Sequence, residues 1–184
     1  MPERSELLPD FSLRSTAAAL TAILTVAALL TAAPATAQDS PVPSNPEVEE
    51  VATGFQFTEG PYWHPDGYLL FSDIPANTIY RWTPGDGTDV HRRPSGNANG
   101  ITADGEGHLV LAQHAGRVSL IQDDGQERVL AHEYQGQRLN SPNDIVVHRN
   151  GAVYFTDPPY GVSDENRELD EEGVYRLQST GELE

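Results

Sequence analysis

The chain reads as all-β, and within that class as a β-propeller. Three observations carry this expectation. Short runs rich in Val, Ile, Leu, Tyr and Phe are separated by clusters of Gly, Asp and Asn, the pattern of strands joined by tight turns. After residue 50, no stretch sustains apolar residues at the 3.6-residue spacing of an amphipathic helix. The third observation is a repeat. Glu59-Gly60, Asn99-Gly100 and Asn143-Asp144 open units offset by 40 and 44 residues, and Asp73, Gln113 and Asp157 each follow an opening by 14 residues. A period of about 40–45 residues with four short strands per unit is that of a propeller blade. A β-sandwich also spaces strands by turns, but it does not make strands, turns and opening residues recur together.

The strands can be placed in order. Tyr68-Leu69-Leu70-Phe71-Ser72 follows the turn pair Asp66-Gly67, and Thr78-Ile79-Tyr80-Arg81-Trp82 precedes Gly85-Asp86-Gly87. In the next unit His108-Leu109-Val110-Leu111-Ala112 follows Gly105 and Gly107, and Arg117-Val118-Ser119-Leu120-Ile121 precedes Asp123-Asp124-Gly125. In the third, Ala152-Val153-Tyr154-Phe155-Thr156 follows Asn150-Gly151, and Gly173-Val174-Tyr175-Arg176-Leu177 precedes Thr180-Gly181. Residues 59–184 hold about three such units, whereas a closed ring needs about four to eight. The expectation is therefore a partial propeller of about three blades whose end strands present open edges.

The first 37 residues read as an address. Arg14 precedes an apolar run over residues 17–30, interrupted only by Thr21 and Thr25, and the run is short against the roughly 20 residues that span a bilayer. Ala35-Thr36-Ala37 then supplies an A-x-A cleavage pattern. Residues 1–37 are expected to be a signal peptide cleaved after Ala37, which makes the mature protein periplasmic or secreted. The alternative is an uncleaved segment that anchors it to the membrane. Residues 38–50, with Pro41, Pro43 and Pro46 among polar residues, read as a flexible linker, and residues 51–184 as the propeller body.

Composition removes several classes of function. The 184 residues carry 28 acidic and 11 basic side chains, a formal charge of −17, and every basic residue is arginine. Phosphate backbones would be repelled, so a nucleic-acid partner is excluded, and stable membrane insertion after cleavage is not expected. The absence of cysteine excludes disulfides, cysteine-ligated zinc and a thiol nucleophile. Ser141 lies outside any G-x-S-x-G elbow. His64, His91, His108, His132 and His148 share no register, so no histidine metal cluster is expected.

In a propeller the innermost strand of each blade starts beside the central channel, so equivalent openings converge. Glu59, Asn99 and Asn143 would then bring one carboxylate and two amide oxygens together, a hard donor set suited to Ca²⁺, Mg²⁺ or Mn²⁺. Asp144 is read as bracing the Asn143 loop, and Asp157 as capping the Pro158-Pro159 turn. Trp63 and Trp82 are read as blade packing, and residues 164–172 as a solvated loop.

The motifs Glu59-Gly60-Pro61, Asn97-Ala98-Asn99-Gly100, Asn140-Ser141-Pro142-Asn143-Asp144 and Tyr154-Phe155-Thr156-Asp157-Pro158-Pro159-Tyr160-Gly161 resemble the gluconolactonase branch of the SMP-30/gluconolactonase/LRE family. The resemblance runs from about residue 51 onward. It implies a six-bladed propeller, one divalent cation (Ca²⁺, Zn²⁺, Mg²⁺ or Mn²⁺) and hydrolysis of a sugar lactone. By motif, it implies that Glu59 and Asn143 are metal ligands and that Asn99 contacts substrate. His114, in Gln113-His114-Ala115-Gly116-Arg117, matches a histidine common in the branch and is a second substrate-binding candidate; where this chain has Gln113, Glu is more usual. The family's catalytic aspartate and third ligand fall beyond Glu184, so no catalytic residue is assigned. The chain is expected to be a fragment with little activity alone, completed by missing blades that a second chain could supply. The alternative is a non-catalytic propeller module for binding or interaction.

Overall fold

The computed structural model describes residues 45–184. The expected signal peptide and most of the expected linker lie outside these residues. Residues 47–184 form one unit of antiparallel sheet with no α-helix. The first sheet is a meander of β1 (Thr58–His64), β2 (Tyr68–Asp73), β3 (Thr78–Thr83) and β4 (Gly87–Arg92), paired in sequence order. The second repeats it with β5 (Ala98–Ala103), β6 (Leu109–Gln113), β7 (Arg117–Ile121) and β8 (Glu127–Ala131). A short hairpin, β9 (Glu133–Tyr134) and β10 (Gln137–Arg138), leads to a three-stranded sheet of β11 (Ile145–Val147), β12 (Val153–Asp157) and β13 (Gly173–Leu177). All six middle strands read from the sequence are present, with ends shifted by at most one residue.

The turn that follows each first strand is built the same way. Five residues after each opening, a side chain accepts from the backbone N–H two positions on: His64 Nδ1 from Asp66 (3.2 Å), Asp104 Oδ1 from Glu106 (2.9 Å) and His148 Nδ1 from Asn150 (3.3 Å). This corrects one expectation. His64 and His148 do share a register, and its purpose is turn closure of the Asx type.

The sheets pack face to face. Leu70 and Ile79 of the first sheet meet Ala98, Ile101, Leu109 and Leu111 of the second. The far side of the second sheet, with Val110, Ala112, Val118 and Leu120, meets Ile145, Val153 and Phe155 of the third. Alternation along each strand thus serves two interfaces in succession, which is why both faces of the second sheet are apolar. Trp82 is half-buried beside Phe55, Leu69 and Phe71, as expected of packing. Trp63 lies on β1 with 55% of its surface exposed, on a face that no neighbouring sheet covers among the described residues. The acidic stretch before β13 contains a single 3-10 turn (Asp164–Asn166) and a buried Leu169. It docks on the small hairpin, where Glu168 accepts from the Arg138 backbone N–H at 2.7 Å.

Candidate functional site

β5 lies between β1 and β11, so the three first strands run side by side. Two of them are interrupted where the openings fall. The β1–β2 register slips between Glu59 and Tyr62, and the β5–β6 register slips between Ala98 and Ile101. Such bulges re-aim side chains and are common beside functional sites.

The openings touch through their backbones. Gly60 has φ of 55°, and a Cβ placed there would stand 1.9 Å from the Asn99 carbonyl oxygen. Gly100 donates its N–H to the Asn143 carbonyl at 2.7 Å, and a Cβ on it would meet the same oxygen at 2.7 Å. The glycine after each of the first two openings is therefore required by the approach of the next sheet, beyond any turn preference. Ser72, fully buried, donates to the Asn99 carbonyl at 2.8 Å and ties the first two sheets together at the same level.

The side chains assemble around this contact. Asn99 is buried, and its Nδ2 lies 3.3 Å from His114 Nε2. With the amide donating, Nε2 is the acceptor and the imidazole proton sits on Nδ1. Burial pushes the His114 acidity toward the neutral ring, and the nearby Glu59 carboxylate opposes it less strongly. Glu59 itself is exposed, and Asn143 is half-buried. Opposite His114, Gly161 donates to Ser141 Oγ at 2.8 Å and lies so close that a Cβ would be 3.0 Å from the His114 Cβ. The structure thus brings Glu59, Asn99 and His114 together, with Asn143 joined through the backbone of Gly100.

The positions 14 residues after each opening are all buried and hold the chain segment that leads into their own sheet. Asp73 accepts from the N–H groups of Gln56 (2.9 Å) and Phe57 (3.2 Å). Gln113 donates to the Ser95 carbonyl at 2.8 Å. Asp157 accepts from the Asn140 N–H at 2.8 Å, and from the Ser141 backbone. Asp157 is therefore not a cap for the Pro158-Pro159 turn; its carboxyl reaches 17 residues back along the chain instead. Asp144 braces the Asn143 loop mainly by its backbone, exchanging bonds with Thr156, while its own carboxylate accepts from Ile145 N.

Sequence reasoning missed Ser72, Ser141 and Gly161, whose contacts cross between units and leave no periodic signal. It also missed the role of Asn77, whose Oδ1 takes the N–H of Ser95 and of Asn97 at 2.9 Å each and shapes the entry to β5.

The donors fit a hard cation by chemistry, since Glu59 and Asn143 offer oxygens and the Asn99 amide is engaged with His114. A second cluster lies at the other end of β5, where Asp104, Glu106 and His108 bring potential ligand atoms within 4.8 Å of one another. There Asp104 Oδ1 holds the turn through Glu106 and His108 N–H groups, and Oδ2 pairs with His108 Nδ1 at 3.1 Å.

The chain is similar to known proteins along most of the described residues. The family model described as the SMP-30/Gluconolactonase/LRE-like region matches residues 57–184. A gluconolactonase of Zymomonas mobilis is 38% identical over 157 residues, covering 74% of this chain and 44% of that protein. A pentonolactonase of Haloferax volcanii is 29% identical over 136 residues, covering 71% and 45%. The solved gluconolactonase of Xanthomonas campestris superposes with a TM-score of 0.65 at 34% identity, covering 71% of this chain and 47% of its own. The chain spans about half the length of these relatives.

Proposed function

This chain belongs to the SMP-30/gluconolactonase/LRE-like family, and from that premise we propose that the protein hydrolyses a sugar lactone with the help of one divalent cation. The carrying observation is that openings 40 and 44 residues apart meet at one place, and that this place gathers Glu59, Asn99, His114 and Asn143. Glu59 and Asn143 hold the cation. When bound, it supplies Lewis-acid polarisation of the lactone carbonyl. Asn99 orients the sugar hydroxyls, and the neutral His114 ring fixes the Asn99 amide while the Gly161 loop shields it from water. The general base is an aspartate from a blade other than these three sheets.

Internal register supports a ring that continues past the third sheet. Leu70 and Ile79, then Val110 and Val118, are fully buried between sheets. The matching positions on β12 and β13 are Tyr154, 36% exposed, and Val174, 73% exposed. That face is built for the next blade. Two protein donors leave most of a Ca²⁺ shell of about six to eight oxygens to water, so the three sheets alone hold a cation weakly. We also place the mature protein outside the cytoplasm, periplasmic or secreted, on the strength of the cleavage pattern at Ala37.

The test is titration calorimetry with Ca²⁺, Zn²⁺, Mg²⁺ and Mn²⁺ alongside a pH-stat assay on glucono-δ-lactone. Both are run on this chain and on the chain joined to blades that close the ring. Weak binding and negligible turnover are expected of the first, and cation-dependent turnover lost on Glu59→Gln is expected of the second. Turnover that needs no cation, or survives Glu59→Gln, overturns the proposal.

A further inference from the structure

An open cavity of about 490 Å³ lies beside the β6–β7 turn, lined by Ala115, Gly116, Arg117, Val129, His132 and Arg138. Its ionisable side chains are two arginines and a histidine, and none is acidic. The chain as a whole carries a formal charge of −17, so a lining of this kind stands against its average. The cavity lies at the same end of the second sheet as the candidate site, because the turn that carries His114 to that site presents Gly116 here.

The two guanidinium groups are held from one side only. Arg117 makes its bonds through Nε, which donates to Glu127 Oε1 at 2.8 Å and to Gln113 Oε1 at 3.0 Å. Glu127 is itself shared, since its Oε2 accepts from Arg92 Nη2 at 3.2 Å. One carboxylate thus serves two arginines and leaves a positive charge over. Arg138 donates through Nη1 to the Leu139 carbonyl at 3.2 Å. Among the described residues, Nη1 and Nη2 of Arg117, and Nε and Nη2 of Arg138, have no protein acceptor and reach the surface.

Arg138 also has a seat that only glycine provides. Its guanidinium lies over Gly116, where a Cβ would stand 2.5 Å from Nη2, 2.6 Å from Cζ and 2.8 Å from Nε. Gly116 is buried and has φ of 79°, so the bare backbone and the arginine above it fit as a pair. The carboxylates close by are engaged elsewhere. Glu168 accepts from the Arg138 backbone N–H at 2.7 Å, and Glu133 lies 3.8 Å from His132 Nδ1. Neither bonds a guanidinium of this pair. A free guanidinium edge offers parallel N–H groups that match two oxygens of a carboxylate or phosphate.

We propose that this cavity binds a small oxyanion, a carboxylate or a phosphate group, on the free edges of Arg138 and Arg117 with the exposed His132 beside them. The overall negative charge repels a polyanion, which limits the ligand to a small molecule. The site is separate from the donors gathered at Glu59, and it does not rest on the lactonase reading.

The test follows the ¹⁵N-labelled full chain by NMR during titration with sodium phosphate and with sodium gluconate, each against sodium chloride at matched ionic strength. Saturable shifts of the Gly116, Arg117, His132 and Arg138 amides are expected with an oxyanion and not with chloride. The stronger binder names the source, phosphate for a phosphorylated ligand and gluconate for a sugar acid. Arg138→Gln should weaken binding by about tenfold or more. Arg149→Gln removes the same charge from an exposed position in the β11–β12 turn and should leave binding within about twofold. Shifts that chloride reproduces, that do not saturate, or that weaken equally in the two variants overturn the proposal. If Arg138→Gln does not fold, the wild-type titrations decide it, and shifts centred away from these four amides overturn it.

Discussion

Gly60→Ala should test the closest contact between two sheets. The new methyl group would begin 1.9 Å from the Asn99 carbonyl oxygen and 2.8 Å from its carbon, both backbone atoms that no side-chain rotation can move. At φ of 55° an alanine also pays the left-handed penalty of about 1 kcal/mol. Forcing β1 and β5 apart adds an overpacking cost of about 1–3 kcal/mol, for a total of about 2–4 kcal/mol. Gly67→Ala is the control, because Gly67 has φ of 87° and its new methyl group would have nothing within 4 Å. It bears the backbone penalty alone. Urea denaturation of both variants should therefore separate them by about 1–3 kcal/mol, with Gly60→Ala the weaker. Equal stabilities would mean that the openings of the first two sheets do not meet, and the site would lose its geometric basis.

Three further outcomes follow from named contacts. Burial lowers the His114 pKa and Glu59 partly restores it, so Glu59→Gln should move the ring titration, followed by NMR without added cation, to still lower pH; an unmoved titration would place Glu59 away from the ring. Ser72→Ala strands the Asn99 carbonyl in a buried setting and should cost about 1–3 kcal/mol in urea denaturation. Burial alone would raise the Glu127 carboxyl, but the bonds from Ser119, Gln113 and the Arg117 guanidinium hold it below its ordinary value. Its contribution is therefore present above the unfolded carboxylate pKa and is lost as pH falls through the lower folded value. Glu127→Gln should destabilise at neutral pH and matter little in strong acid; equal effects at both would refute the assignment.

Much of the architecture was legible because it is local. The middle strands announce themselves by alternating apolar residues between glycine-bearing turns, as in residues 68–72 and 117–121. Their recurrence made Glu59, Asn99 and Asn143 stand out as equivalents. The fourth strands, Gly87–Arg92 and Glu127–Ala131, were anonymous, since outer strands with exposed polar residues lack that alternation.

The unit, its period and its opening residues are readable along the chain, because turn chemistry and period-two burial are written within each stretch of about 40 residues. What those residues do to one another depends on how the sheets pack. That packing sets Gly60 against Asn99, Glu59 near His114, and the Asp157 carboxyl on Asn140, each through the separation of neighbouring sheets or strands. That separation follows from side-chain volumes summed across an interface, a quantity no local run of residues encodes.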